Sequence, residues 1–291
     1  MNTYIKKMIS KNKDFDKILP ELKFHFNNIY RENNYKFQKC CGSYLFDGLS
    51  YEYDAYNEKK QKLLYSAVKD CSNVLEIGVY MGHSILIMLL ANPKLNITCV
   101  DIDGTYAIPS INYLKKQFPE ANINLSINNF LTLLKKSDQQ FDFFHIDGDH
   151  TMRVILKELF VIFNKNKLPK LKLLFDDVDC MNPIKKCILK TFDCKYIQPQ
   201  CKNANIYFNI SINKNIFETQ LLNFKKEVKK IYKNILIQDL KVITNKILLK
   251  IYFIIFHSNS FGKRIRKILK QNTVYKYILL KINNLLNTHN T

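Results

Sequence analysis

Val74-Leu75-Glu76-Ile77-Gly78-Val79-Tyr80-Met81-Gly82-His83-Ser84 is the stretch whose reading decides the fold. An apolar run ends in a carboxylate, glycines follow two and six residues after it, and an apolar segment of helical character, 85–90, comes next. Strand, tight glycine turn and helix in that order open a nucleotide-binding βαβ unit. The spacing is E-x-G-x-x-x-G, not G-x-G-x-x-G. A carboxylate at the strand end repels a pyrophosphate and attracts a ligand carrying an amino group and a sulfonium. A dinucleotide oxidoreductase is disfavoured on that ground.

Outward from this stretch, short apolar runs alternate with helical segments. Strands are expected at 73–77, 97–101, 123–127, 141–147, 171–176, 192–197 and 205–210. Helices are expected at 84–90, 106–117, 130–136, 152–164 and 184–190. The alternation predicts an α/β fold, a Rossmann-like, mostly parallel sheet with helices on both faces. The last two strands follow one another without a helix, so a closing hairpin adds one antiparallel strand.

Residues 1–70 read as an N-terminal cap or lid. Helices are expected within 5–26 and over 58–68, the second with Leu63, Leu64, Ala67 and Val68 on one face. The likeliest cover for an acceptor is 42–56, where Tyr44, Tyr51, Tyr53 and Tyr56 offer rings for stacking. Residues 213–291 read as a basic amphipathic helical extension, interrupted at 258–262. The expected organisation is therefore 1–70, 71–212 and 213–291.

The chain has 291 residues and a net charge of +20. The excess is uneven, because 213–291 holds 16 Lys/Arg against Glu218, Glu227 and Asp239. Such a segment suits an anionic membrane surface or another phosphate-rich partner, or a contact between copies of the chain. No signal-peptide pattern opens the sequence, and no apolar run reaches the roughly 20 residues that span a bilayer. The expected location is cytoplasmic, with the tail as a peripheral membrane contact. The eight cysteines are expected as reduced thiols. Cys180, Cys187, Cys194 and Cys201 recur every seven residues, but zinc ligands come in closer pairs.

In an open parallel sheet, ligands bind beyond the carboxyl ends of the strands. Acids stand at four such ends: Glu76, Asp101, Asp147, and the pair Asp176-Asp177. Asp101 can accept both hydroxyls of a ribose. Asp147, Asp176 and Asp177 together offer hard oxygen ligands that suit Mg²⁺, and burying three carboxylates without a cation would be costly.

The glycine stretch resembles motif I of the class I S-adenosylmethionine methyltransferases. Ile146-Asp147-Gly148-Asp149-His150 with Phe175-Asp176-Asp177 resembles the metal-dependent small-molecule O-methyltransferases, above all those acting on sugars. The catechol enzymes are more distant relatives. The resemblance implies that Gly78, Tyr80, Gly82 and Ser84, with Glu76 at the strand end, hold the methionine part of S-adenosylmethionine. It implies Asp101 at the ribose, Asn128 and Asn129 beside adenine, and Mg²⁺ on Asp147, Asp176 and Asp177. In the sugar enzymes the base matches Asp149. In the catechol enzymes it is a Lys, and His150 stands at that position here, so the base is Asp149 or His150.

These readings imply a Mg²⁺-assisted O-methyltransferase acting on a hydroxyl of a sugar or other small metabolite. A nucleic-acid methyltransferase gripping phosphates through the tail, and a non-catalytic module binding membranes or partners, are the alternatives. Neither a base-flipping motif nor an RNA-binding module is present to support the first.

Overall fold

The computed structural model describes residues 14–34, 55–136, 138–149, 151–176, 182–199, 205–213 and 215–257. The tyrosines of the expected lid at positions 44, 51 and 53, and the break at 258–262, lie outside the described residues.

Seven strands form one sheet: β1 (Asn73–Ile77), β2 (Asn96–Asp101), β3 (Asn122–Ile127), β4 (Phe143–Ile146), β5 (Lys170–Phe175), β6 (Asp193–Ile197) and β7 (Ile206–Ser211). Their spatial order is β3-β2-β1-β4-β5-β7-β6. All neighbours run parallel except β7, which lies antiparallel to both β5 and β6. The order reverses between β1 and β4, and a ligand crevice is expected beyond the carboxyl ends at that switch.

The central strands read as apolar runs because helices cover both faces of the sheet. Leu75, Phe143, Leu173 and Phe208 are each fully buried. Expected strand 141–147 shortens to Phe143–Ile146 for a local reason. Asp142 turns its carboxylate to the backbone amides of Ser72 (2.8 Å) and Asn73 (3.1 Å), tying the start of β1 to the segment entering β4.

Helices α1 (Leu19–Glu32) and α2 (Ala55–Val68) precede the sheet, and α3 (His83–Ala91) and α4 (Gly104–Gln117) follow β1 and β2. α3 is apolar all round and buried from His83 to Leu90. The reason is a second layer: α1 packs on α3 and α4, while α2 packs on α3. Leu22, Phe26 and Ile29 of α1 and Leu64 and Val68 of α2 join the same core as α3. These N-terminal helices are therefore part of the body of the domain. Polar side chains knit the layers. The His25 ring nitrogen Nδ1 lies 2.6 Å from the Tyr113 hydroxyl, and Asn33 donates to Ser110 Oγ at 2.9 Å. Burial holds His25 neutral, lowering its pKa to about 4.

The remaining helices are α5 (Phe130–Lys136), α6 (Met152–Lys165), α7 (Asn182–Thr191) and α8 (Phe217–His257). The chain divides into two compact units, Met1–Val228 and Lys229–Thr291. The division falls beyond the change in composition at 213, because the first turns of α8 bury Phe217, Leu221, Phe224 and Val228. Phe224 packs against Phe163 of α6 at 4.8 Å between ring centres. In the second unit α8 continues to His257 as a lysine-rich helix. No helix among the described residues is long and apolar enough to cross a membrane.

Two measurements check this arrangement. Replacing Phe224 by Ala should lower unfolding free energy in urea by about 3–5 kcal/mol, the usual cost of deleting a buried ring. A surface helix merely trailing from the domain would lose almost nothing. The second concerns Glu158 of α6, which is buried. Burial, and then the charge of Asp149, push its carboxyl up to about 8. The folded pKa exceeds the unfolded one, so the acid form favours folding. That contribution is complete below about pH 4.5 and is lost as pH rises through 8. Stability should therefore fall from pH 5 to 9, and Glu158→Gln should flatten the fall. An unchanged slope in the variant would contradict it.

Candidate active site

The turn after β1 shows why glycine is needed. Gly78 has φ +85° and Gly82 φ +73°, both left-handed. A Cβ on Gly78 would stand 2.1 Å from the backbone oxygen of Asp147, so the turn presses on the end of β4. Tyr80 is also left-handed, at φ +46°. Its ring packs 5.0 Å from that of Tyr106. Two amides of the turn, Val79 N and Tyr80 N, donate to Asp101 Oδ2 at 2.8 and 2.9 Å. The acid at the end of β2 thus fixes the turn, and it remains half-buried rather than enclosed.

Glu76 and Ser84, expected beside the methionine part of the ligand, pair with each other. Both are buried, and the Ser84 hydroxyl donates to Glu76 Oε1. Glu76 Oε2 lies 2.8 Å from His145 Nδ1, on the strand alongside. The register explains the pair, since Glu76 and His145 are direct partners across β1 and β4. Burial raises the Glu76 carboxyl, while His145 and Ser84 oppose that rise. These groups brace the turn from beneath. His83 is likewise structural: it packs edge-on against Phe26 at 5.0 Å, and burial lowers its pKa to about 3.

Asn128 and Asn129 follow β3 and are exposed. Asn128 N donates to the Asp101 carbonyl at 2.8 Å, which sets the β3 loop beside Asp101. Asn129 Oδ1 accepts from Leu131 N at the start of α5, at 2.9 Å. Asp147 and Asp149 flank Gly148 directly after β4. Asp149 is exposed, and its carboxylate accepts from Thr151 N at 2.8 Å ahead of α6. His150 and Asp177 lie outside the described residues.

Asp176 departs most from expectation. It is buried directly after β5, and its Oδ1 lies 2.7 Å from the ammonium of Lys60 on α2. Mg²⁺ takes oxygen ligands in near-octahedral geometry and keeps several waters. Oδ1 of Asp176 is already set against an ammonium, and the enclosure of the side chain limits the room for that hydration. Among the described residues, no three His, Cys, Asp or Glu side chains are grouped to hold a metal ion. Of the three acids expected to hold magnesium, Asp147 and Asp176 are among the described residues and do not by themselves form a metal site. Lys60 is the buried partner of Asp176 that reading the acids missed. Its signal was present, because Lys60 precedes Leu64 by one helical turn and shares its buried face.

Residues 75–178 match a family model described as a methyltransferase domain, a little over a third of the chain. The tapetum-specific methyltransferase 1 of Arabidopsis thaliana is 31% identical over 94 residues, 31% of this chain and 40% of that protein. The match thus spans well under half of the plant protein's length. Among solved structures, the O-methyltransferase of Bacillus cereus in complex with SAH has 12% identity and a TM-score of 0.48, covering 71% of this chain and 99% of that one. The O-methyltransferase TomG of Streptomyces achromogenes in complex with SAM has 14% identity and a TM-score of 0.46, covering 72% and 96%. Residues 75–178 are thus similar to a methyltransferase domain.

Proposed function

We propose that this chain transfers the methyl group of S-adenosylmethionine to a hydroxyl oxygen of a small acceptor, a sugar being the class that the resemblance implies. The observation that carries the reading is Asp101. It stands half-buried at the end of β2, bonded to two amides of the glycine turn, inside the matched methyltransferase domain. When bound, S-adenosylmethionine supplies a methyl already activated on a sulfonium.

The work of the chain is binding, orientation and proton removal. Asp101 accepts from the ribose hydroxyls. The backbone of Gly78, Tyr80 and Gly82 cradles the methionine part, with Glu76 and Ser84 holding the turn from below. Asn128 and Asn129 flank the adenine. Asp149, exposed after β4, takes the proton of the acceptor hydroxyl, with His150 as the other candidate. The acceptor oxygen gains the methyl as the carbon–sulfur bond breaks and its electron pair passes to sulfur. Asp176, after β5, has its counter-charge in Lys60 of α2.

Calorimetric titration with S-adenosylhomocysteine tests the assignment. The wild-type chain should bind in the micromolar range. Asp101→Asn should weaken binding at least about tenfold, since a factor of ten corresponds to about 1.4 kcal/mol, within reach of one charge-assisted hydrogen bond. Unaltered affinity would contradict the placement of the ribose. Gly78→Ala should both weaken binding and destabilise the domain, because its methyl would meet the Asp147 carbonyl. A stable variant with full affinity would rule out the turn as the cradle.

A further inference from the structure

The strongest unexplained feature is the buried Lys60–Asp176 pair. Both residues are only 1% exposed, and their charged atoms are 2.7 Å apart. Removing two charges from water costs several kcal/mol per ion, so a pair like this is retained only where the geometry is well supported. The support is visible at both ends of one element. Lys172 of β5 donates to the Ala67 carbonyl of α2 at 2.9 Å, and Lys60 of α2 meets Asp176 just past β5. Helix α2 therefore runs antiparallel to β5. The spans agree: four strand residues cover ~13 Å and seven helical residues ~10 Å. Lys60 is held in place by a helix whose Leu64, Ala67 and Val68 are buried, so its ammonium cannot swing to solvent without disturbing the core.

The pair also belongs to a wider buried layer. Glu76, His145 and Leu174 stand side by side in register, and Asp176 lies two residues beyond Leu174 on the same face. Asp176 is near enough to add to the rise of the Glu76 carboxyl. Two carboxylates thus share one layer beneath the ligand crevice. The fixed positive charge set against Asp176 is an amino group of the chain itself.

We propose that the Lys60 ammonium takes the place of a divalent metal as the counter-charge of Asp176, making the methyl transfer of this chain independent of metal. Lys60 is a positioning residue. It neutralises and orients Asp176, while the acceptor proton passes to the base after β4 and the carbon–sulfur electron pair passes to sulfur. A metal ion on Oδ1 of Asp176 would have to share that oxygen with an ammonium, and like charges at that range repel strongly. This inference rests on the methyltransferase reading, and its test separates the two.

The test is titration of the full chain, saturated with S-adenosylhomocysteine, with Mn²⁺, followed by the loss of the free-ion electron paramagnetic resonance signal. The wild-type chain and Lys60→Arg should take up no stoichiometric Mn²⁺ at millimolar concentration. Lys60→Met, which removes the charge and keeps the length, should bind Mn²⁺ at least tenfold more tightly than wild type. That gain should disappear in the Lys60→Met, Asp176→Asn double variant. Stoichiometric uptake by the wild-type chain that Asp176→Asn abolishes would overturn the proposal. So would a Lys60→Met chain that retains S-adenosylhomocysteine binding and still excludes Mn²⁺. If Lys60→Met does not fold, the wild-type and Lys60→Arg titrations decide: exclusion supports the proposal, and uptake overturns it. Failure of the wild-type chain to bind S-adenosylhomocysteine counts instead against the methyltransferase reading.

Discussion

The constraint on which the rest of the structure depends is the burial of charged and polar side chains at the carboxyl ends of β1, β4 and β5. Glu76, His145, Asp176 and Lys60 all lie out of water beneath the glycine turn. Each must be satisfied inside the protein, because an unpaired buried charge costs far more than one bond returns. Glu76 is held by Ser84 and His145, and Asp176 by Lys60. These bonds join α3, β4 and α2 to the strand ends. Above them, Gly78 fits against the Asp147 carbonyl without a side chain between them. The crevice above inherits that rigidity. Asp101, reaching the turn from β2, completes it.

The N-terminal helices gain their meaning from the same layer. A bare class I sheet would leave α3, apolar on every side, facing solvent. α1 and α2 cover it, and α2 also delivers Lys60 to Asp176. One element thus closes the hydrophobic core and compensates a buried charge. Over its described residues, 14–34 and 55–68, the expected N-terminal cap is a structural layer. The first turns of α8 extend the same body through Phe224, which shares its aromatic cluster with Phe163 and Phe192.

Much of this was legible in the sequence. Period and punctuation located every strand, and the boundaries moved by a residue or two at most. The switch to an antiparallel β7 followed from two strands lacking a helix between them. What was hidden depended on contacts between distant segments. Nothing local marks Asp142 as the acceptor for Ser72 and Asn73, since it arises only when β1 and β4 lie side by side. Glu76 and Ser84 were legible as members of the glycine motif, but not as partners of each other. Asp176 reads as a metal ligand until α2 is folded over β5. Lys60 stood on the apolar face of its helix, and a charged residue in that position signals a buried partner. The acids drew attention first because their pattern is local, whereas the cation that answers one of them is distant in sequence.

The central claim is that the ends of β1, β2 and β4 form a preformed cradle for S-adenosylmethionine. A crystal structure of the chain with S-adenosylhomocysteine addresses it most directly. The account predicts the ribose hydroxyls on the Asp101 carboxylate and the ligand's amino acid part along the turn from Gly78 to Gly82, with Lys60 still on Asp176. A ligand seated elsewhere, leaving Asp101 bonded only to the amides of Val79, Tyr80 and Asp103, would contradict it.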